Sequence, residues 1–387
     1  MTDIHAFSPL VVAAAHAPAV VSPAYDSMTP EERLRFRQAH PDNYINVMRT
    51  TEDFPEGERP SEEQVTAENI AQLAALRSKG AFQQCAIEGL FVYQLEIDGH
   101  VQTGIVAEIP ISEYGDGSVR KHEETRKEHE LRLVRYLNEV GASSSPVCLA
   151  YEARAEIDRI IEEQVRSRPF LDFDLPDGIH QRLWQVSDPQ TIDSLKAEFR
   201  EVQATYLTDG HHRAASTLRH AEGRHAAGQG SGPWDFLLVV LFPADQLRVL
   251  PFNRCVRDLG SLSVTELMAK IAASFIVESV PAHEDSLPTR HGEFLMLLDD
   301  QAFRLTRRAD RDDRSPVKNL DVSYLQDYLL APILGIADAR GDSRLDYVTG
   351  DSGLEGLQQR QEKGWRLGFA CYPTSMAELM EIGRAHV

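Results

Sequence analysis

The chain has 387 residues, 42% hydrophobic and 26% charged, enough for a sizeable core and for roughly two or three domains. Lys plus Arg total 40 against 60 Asp plus Glu, a formal charge of -20 that disfavours nucleic acid and membrane surfaces as partners but leaves room for a small anion in a local basic pocket. Scattered cysteines (Cys85, Cys148, Cys255, Cys371), an N-terminus with Asp3 and no basic run, and a longest clean apolar run of only Phe236 to Phe242 predict reduced thiols in the cytoplasm, with no signal peptide and no membrane span.

In chain order, residues 1–25 are apolar, with prolines 9, 18 and 23, and read as more extended than helical. Thr29-Pro30-Glu31-Glu32 combines an N-cap, a proline at the first helical position and a capping-box glutamate; Ser61-x-x-Gln64 opens a second helix ending near Gly80. Phe91 to Ile97, the turn Asp98-Gly99, and Val101 to Ile109 predict a β-hairpin. The charge-dense run Glu113 to Glu130 follows. Within it Thr125-x-x-Glu128 reads as a capping box, with Leu131, Val134 and Leu137 as the apolar face, so that His122, Glu123 and Glu124 lie on the approach to the helix. Val147 to Tyr151 reads as a strand, with a charged helix after it to about Ser167. Arg168 to Ser187 has mixed character.

Tyr206 to Ala215, Y-L-T-D-G-H-H-R-A-A, predicts the end of a strand, a glycine turn and a helix start. That geometry directs main-chain N–H groups toward an anion. Beyond it, Gly228 to Pro233 lacks the Lys-Ser/Thr of a P-loop and reads as a surface loop. Strands are expected at Phe236 to Phe242 and Leu247 to Pro251, a helix after Ser263-x-x-Glu266, and a hairpin over Glu293 to Thr306. A solvated charged turn at Arg307 to Arg314, a helix at Val322 to Leu330 and strands near Leu345 and at Trp365 to Cys371 complete the chain. Strands and helices intermix throughout, which predicts an α/β or α+β class with domains over 1–255 and 256–387.

Two segments hold more polar groups than folding needs: Arg120 to Arg126 and Asp209 to Arg213. If they converge, they supply what phosphoryl transfer requires, namely cations and N–H donors for phosphate and a carboxylate for the acceptor's hydroxyl proton. The same residues admit a metal-dependent hydrolase built on His122, Glu123, Asp209, His211 and His212. The absence of an H-E-x-x-H or H-x-x-x-H pair weighs against that reading, since adjacent helical histidines point about 100° apart.

Gly210-His211-His212-Arg213 resembles the phosphate-binding signature of the partition-protein B/sulfiredoxin (ParB/sulfiredoxin-like) nucleotide-binding fold. Thr208 to Ala215 together with Lys121-His122-Glu123 is similar to the free serine kinases on that fold. Ala24 to Thr29, Gln102 to Val106, Arg120 to Arg126, Asp209 to Ala215 and Leu320-Asp321-Val322 resemble a large bacterial serine-kinase-like family catalogued as a domain of unknown function (DUF1015). The resemblance implies a ParB/sulfiredoxin-like core with a second, smaller α+β domain, and a kinase that takes ATP or ADP with Mg²⁺ and makes O-phosphoserine from L-serine. It implies Glu123 as the group that engages the serine hydroxyl and Asp209 as base or Mg²⁺-side acid. Gly210, His211, His212 and Arg213 would cradle phosphate, and His122, Thr125 and Arg126 would contact substrate or phosphate. A non-catalytic nucleotide-binding regulator is the alternative the same cradle allows. The family also implies a continuation past a segment like Gly383 to Val387 bearing Pro-Lys-Ser/Thr, whose lysine could reach phosphate; this chain stops at Val387, so impaired activity is expected if that tail contributes.

Overall fold

The structure, a computed structural model, describes the chain except residues 24, 26, 27, 56, 123, 124, 144, 309–315, 340, 386 and 387. It is a mixed α/β protein of two compact units, Met1–Leu247 and Arg248–Ala385.

The first unit contains β1 (Leu10–Val12), β2 (Phe82–Gln84), β3 (Leu90–Ile97), β4 (His100–Pro110) and β5 (Val119–Arg120), followed by β6 (Val147–Tyr151), β7 (Leu171–Asp174), β8 (His180–Val186), β9 (Thr205–Asp209) and β10 (Phe236–Pro243). β1 and β2 form a small ribbon; the others make one sheet in the order β5-β9-β6-β10-β4-β3-β8-β7. The β3–β4 hairpin turns on Asp98 and Gly99, both at positive φ, as the Asp-Gly signal predicts. Capping boxes at Thr29 and Ser61 start the helices Pro30–Ala39 and Glu62–Ser78. Ile157, Ile160, Leu195, Phe199, Ala214 and Ala221 from three helices pack with Ile105, Leu149, Leu207 and Val239 of the sheet in one core.

Most of this sheet is antiparallel, but β5 runs parallel to β9 (Val119↔Thr205, Arg120↔Tyr206) and β6 runs parallel to β10. The β5–β9 pairing has a direct consequence for the two polar segments. Each leaves the carboxyl end of its strand on the same side of the sheet, the location where ligands gather in α/β folds.

Several expectations are corrected. Arg168 to Ser187 folds into the β7–β8 hairpin, and Asp188 caps a helix over Pro189–Arg200 whose proline occupies the first turn. Leu247 to Pro251 forms no strand; β11 is Phe252–Val256 instead, and its pairing with strands Leu345–Thr349 and Leu367–Cys371 puts it in the second unit. Thr125 builds no capping box: the helix is Lys127–Glu139, its N-cap is Arg126 without a side-chain bond, and the Thr125 hydroxyl goes to Glu130. Leu131, assigned to the apolar face, is 49% exposed, because Glu130 takes the buried position of that turn.

The second unit holds β11, β12 (Phe275–Val280), β13 (Glu293–Leu298), β14 (Gln301–Arg307), β15 (Leu345–Thr349) and β16 (Leu367–Cys371) in the order β12-β14-β13-β16-β11-β15. Residues Asp321–Leu325 are α-helical and continue as a π-helix over Gln326–Leu330. Asp321 is buried; it accepts the Gly292 amide at 2.9 and 3.0 Å and lies 3.5 Å from Arg307. All four cysteines are thiols. No helix among the described residues is long and apolar enough to cross a membrane.

Candidate functional site

The site forms where β9 becomes a helix. Thr205, Tyr206 and Leu207 are β-prone and buried, so the strand is anchored up to the point where Asp209, 67% exposed at its side chain, emerges. Gly210 then turns the chain with φ +96°, a left-handed conformation that glycine adopts without steric cost. The helix His211–Ala226 follows, and the N–H groups of its first turn have no acceptor within the helix. Buried Ala214 and Ala221 let that helix lie close on the sheet.

Arg213 braces the turn. Its Nη1 donates to the Ser145 carbonyl (3.2 Å), the Ser145 hydroxyl (2.6 Å) and the Pro146 carbonyl (2.5 Å), while Nη2 bonds the Asp209 carboxylate. The guanidinium covers Gly210 so closely that a Cβ there would stand 3.0 Å from Cζ. Asp209 and Arg213 therefore shape the turn as an ion pair. The imidazoles and first-turn amides are the groups it offers to an anion.

The segment after β5 meets this turn. The rings of His122 and His211 stack edge to face at 4.5 Å, and the Arg126 amide donates to Nε2 of His212 at 3.1 Å. The Lys121 ammonium sits 4.2 Å from the centre of the Tyr114 ring. His122, Thr125, Arg126 and Asp209 to Arg213 are thus brought together; Glu123 and Glu124 lie outside the described residues. Against an overall charge of -20, this cluster gathers Lys121, Arg126, Arg213 and several imidazoles.

Burial pushes the His211 imidazole down to about 3, with further lowering from His122, His212, Arg213 and Lys121, so it is neutral near pH 7 and serves as a hydrogen-bonding group, not a cation. His129, whose ring lies 5.2 Å from that of His212, is also held below its ordinary value, first by burial and then by Arg132 and His212. Cys148, opposite Asp209 on β6, is raised to about 11 by burial and stays a thiol. Among the described residues, no group of three or more His, Cys, Asp or Glu side chains is placed to hold a metal ion.

Sequence reasoning missed Glu130, His129, Arg219 and the Ser145–Pro146 carbonyls. Glu130 accepts from Thr125 Oγ1 at 2.5 Å and from Arg219 Nε and Nη2 at 2.9 and 2.5 Å. A charged residue next to the leucine of an expected apolar face was the available clue for Glu130. Nothing local pointed to Arg219, which is 89 positions away.

No curated protein compared with the chain matches it. Solved structures with which it shares a weak likeness include a mutant free serine kinase in complex with ADP (TM-score 0.36, 12% identity, 73% of this chain and 82% of that one). Others are a free serine kinase in complex with AMP (0.36, 10%, 73% and 82%) and a conserved hypothetical protein from Pyrococcus furiosus (0.34, 10%, 72% and 85%). The family model described as protein of unknown function (DUF1015) matches residues 4–323, which include both β5 and β9 and the segments that follow them, and the chain belongs to that family.

Proposed function

We propose that the chain is a kinase whose N-terminal unit binds ATP or ADP and transfers a phosphoryl group to the hydroxyl of a free amino acid, L-serine first. The observation that carries this reading is the meeting of the two polar segments, with His122 against His211 at 4.5 Å and the Arg126 amide on His212 at 3.1 Å. In this reading the nucleotide phosphates lie against Gly210 to Arg213, where helix amides and imidazoles donate to them. The serine oxygen attacks the terminal phosphorus, the bond to the bridging oxygen breaks, ADP (from ATP) or AMP (from ADP) leaves, and the hydroxyl proton passes to Glu123. His122, Thr125 and Arg126 line the acceptor side.

Asp209 can offer one carboxylate oxygen to Mg²⁺, with phosphates and water completing the shell, the manner in which this ion is usually held. When bound, the ion would spread charge over the phosphates. Four thiols fit a reducing compartment, and the -20 charge fits small molecules, not nucleic acid, as partners.

Phosphorus NMR of the protein with Mg²⁺, ATP or ADP and pooled amino acids tests the proposal. O-phosphoserine should form, and Glu123→Ala or Asp209→Ala should abolish it while thermal melting stays near wild type. Unchanged turnover in both variants would refute the assignment.

One observation favours a second reading, a nucleotide-binding regulator without catalysis: Asp209 is already paired with Arg213, which is itself bonded to the 145–146 backbone. Calorimetric nucleotide binding with no product from any amino acid or small alcohol would select it. Metal-dependent hydrolysis ranks below both, because His212 directs Nε2 at the Arg126 amide and Asp209 faces Arg213 instead of a common centre.

A further inference from the structure

The most deeply buried side chain of the helix Lys127–Glu139 is a charged one. The Glu130 side chain is 9% exposed, while neighbouring Leu131 is 49% exposed. A carboxylate out of water needs partners for its oxygens, and Glu130 has them: Thr125 Oγ1 donates to one at 2.5 Å, and Arg219 Nε and Nη2 donate to the other at 2.9 and 2.5 Å. The Thr125 bond first, then Arg219, hold this carboxyl below its ordinary range, so it is an anion near pH 7.

The connectivity is specific. Thr125 belongs to the segment after β5, Glu130 to the helix that segment opens, and Arg219 to the helix that begins at the Gly210 turn. One carboxylate therefore links the two segments of the site. It also sets the polarity of Thr125. A carboxylate only accepts, so the hydroxyl proton points to Glu130 and Thr125 Oγ1 has only lone pairs left to offer another group.

We propose that Glu130, anchored by Arg219, is a positioning residue that holds Thr125 and Arg126 against the Gly210 turn and presents the Thr125 oxygen as an obligate acceptor for the ammonium group of the phosphoryl acceptor. The ammonium assignment rests on the kinase reading above; the positioning role does not. It makes the preferred acceptor an amino-bearing alcohol and gives discrimination against the same alcohol without its amine, since a site built to pair a donor loses most when that donor is missing.

The test compares L-serine with its deaminated counterpart, 3-hydroxypropanoate, in wild type, Thr125→Val, Glu130→Gln and Arg219→Lys. Thr125→Val and Glu130→Gln should raise KM for L-serine roughly 10-fold to 100-fold, the loss expected for one hydrogen bond to a charged group. The rise in KM for 3-hydroxypropanoate should be several-fold smaller than that for L-serine in both variants, and Arg219→Lys should show a milder form of the same split. An equal rise in KM for both acceptors, or no rise, overturns the ammonium assignment. Amide exchange at Arg126, followed by NMR, reads the positioning role without turnover. Exchange that quickens in Glu130→Gln, with an unshifted melting temperature, supports that role, and unaltered exchange overturns it. If wild-type protein phosphorylates nothing, the kinase reading and the ammonium assignment fail together, and amide exchange alone decides the positioning role.

Discussion

The main-chain amide of Arg126 donates to Nε2 of His212 across 3.1 Å, although the residues are 86 positions apart. An imidazole that accepts at Nε2 carries its proton on Nδ1, so this bond fixes a tautomer as well as a distance. A protonated ring has donors on both nitrogens and cannot make it.

Replacing that acceptor should loosen the segment. His212→Ala takes this partner from the Arg126 amide, and because the bond is exposed water can replace it, so the loss is at most about 1 kcal/mol. Amide exchange at Arg126 and Lys127 should rise well before global unfolding. An exchange profile identical to wild type would show that the contact carries no weight.

The buried His211 ring predicts how stability follows pH. The unfolded chain takes a proton on this imidazole near 6.5, while the folded chain resists until about 3. Protons therefore favour the unfolded state: the contribution is whole above about 6.5 and is lost as pH falls from there toward 3. Glu130, held below its ordinary value of 4.5, acts in the same direction at the acid end. Denaturant melts at stepped pH should show His211→Gln with a shallower acid dependence than wild type, and a parallel profile would contradict the assignment.

Gly210 should tolerate no side chain. Gly210→Ala places a Cβ at φ +96°, about 1–2 kcal/mol unfavourable for an L-residue, and 3.0 Å from the Arg213 guanidinium. The variant should melt lower, and its nucleotide affinity by calorimetry should fall as Arg213 is pushed aside. Wild-type affinity would separate the turn from the ligand.

In the second unit, Asp321 is predicted to be structural. Asp321→Ala would remove the carboxylate beside the buried Arg307 guanidinium, which keeps its bonds to Asn319, and would take from the Gly292 amide this acceptor, a loss of about 1–3 kcal/mol. Trp365 lies in this unit and reports its unfolding by fluorescence. A midpoint unmoved in denaturant would remove the claim.

Local signals made much of this protein legible: the Asp98-Gly99 hairpin, the caps at Thr29, Ser61 and Ser263, and the strand–glycine–helix turn around Gly210 all follow from short-range chemistry. What escaped depends on distant partners. The β7–β8 hairpin mixes exposed charges with buried Trp184 and Val186 and shows no clean period. β5, only Val119–Arg120, is a strand because β9 lies beside it. Leu131 lost its expected place to Glu130 because Arg219, unseen in the local pattern, neutralises a carboxylate there. The same limit applies to Arg213, whose partners at 145 and 146 reach it only through the fold.

The brevity of β5 has a mechanical consequence. Its ladder to β9 runs only from Val119↔Thr205 to Arg120↔Tyr206, whereas β9 is also fastened to β6 on its other edge. The seam between β5 and β9 is therefore the shortest ladder among the described strands of the sheet, and its opening costs less than melting the domain. Opening there would release Arg120 from Tyr206 while β9 and the helix tip at Gly210, fastened through β6, stay put.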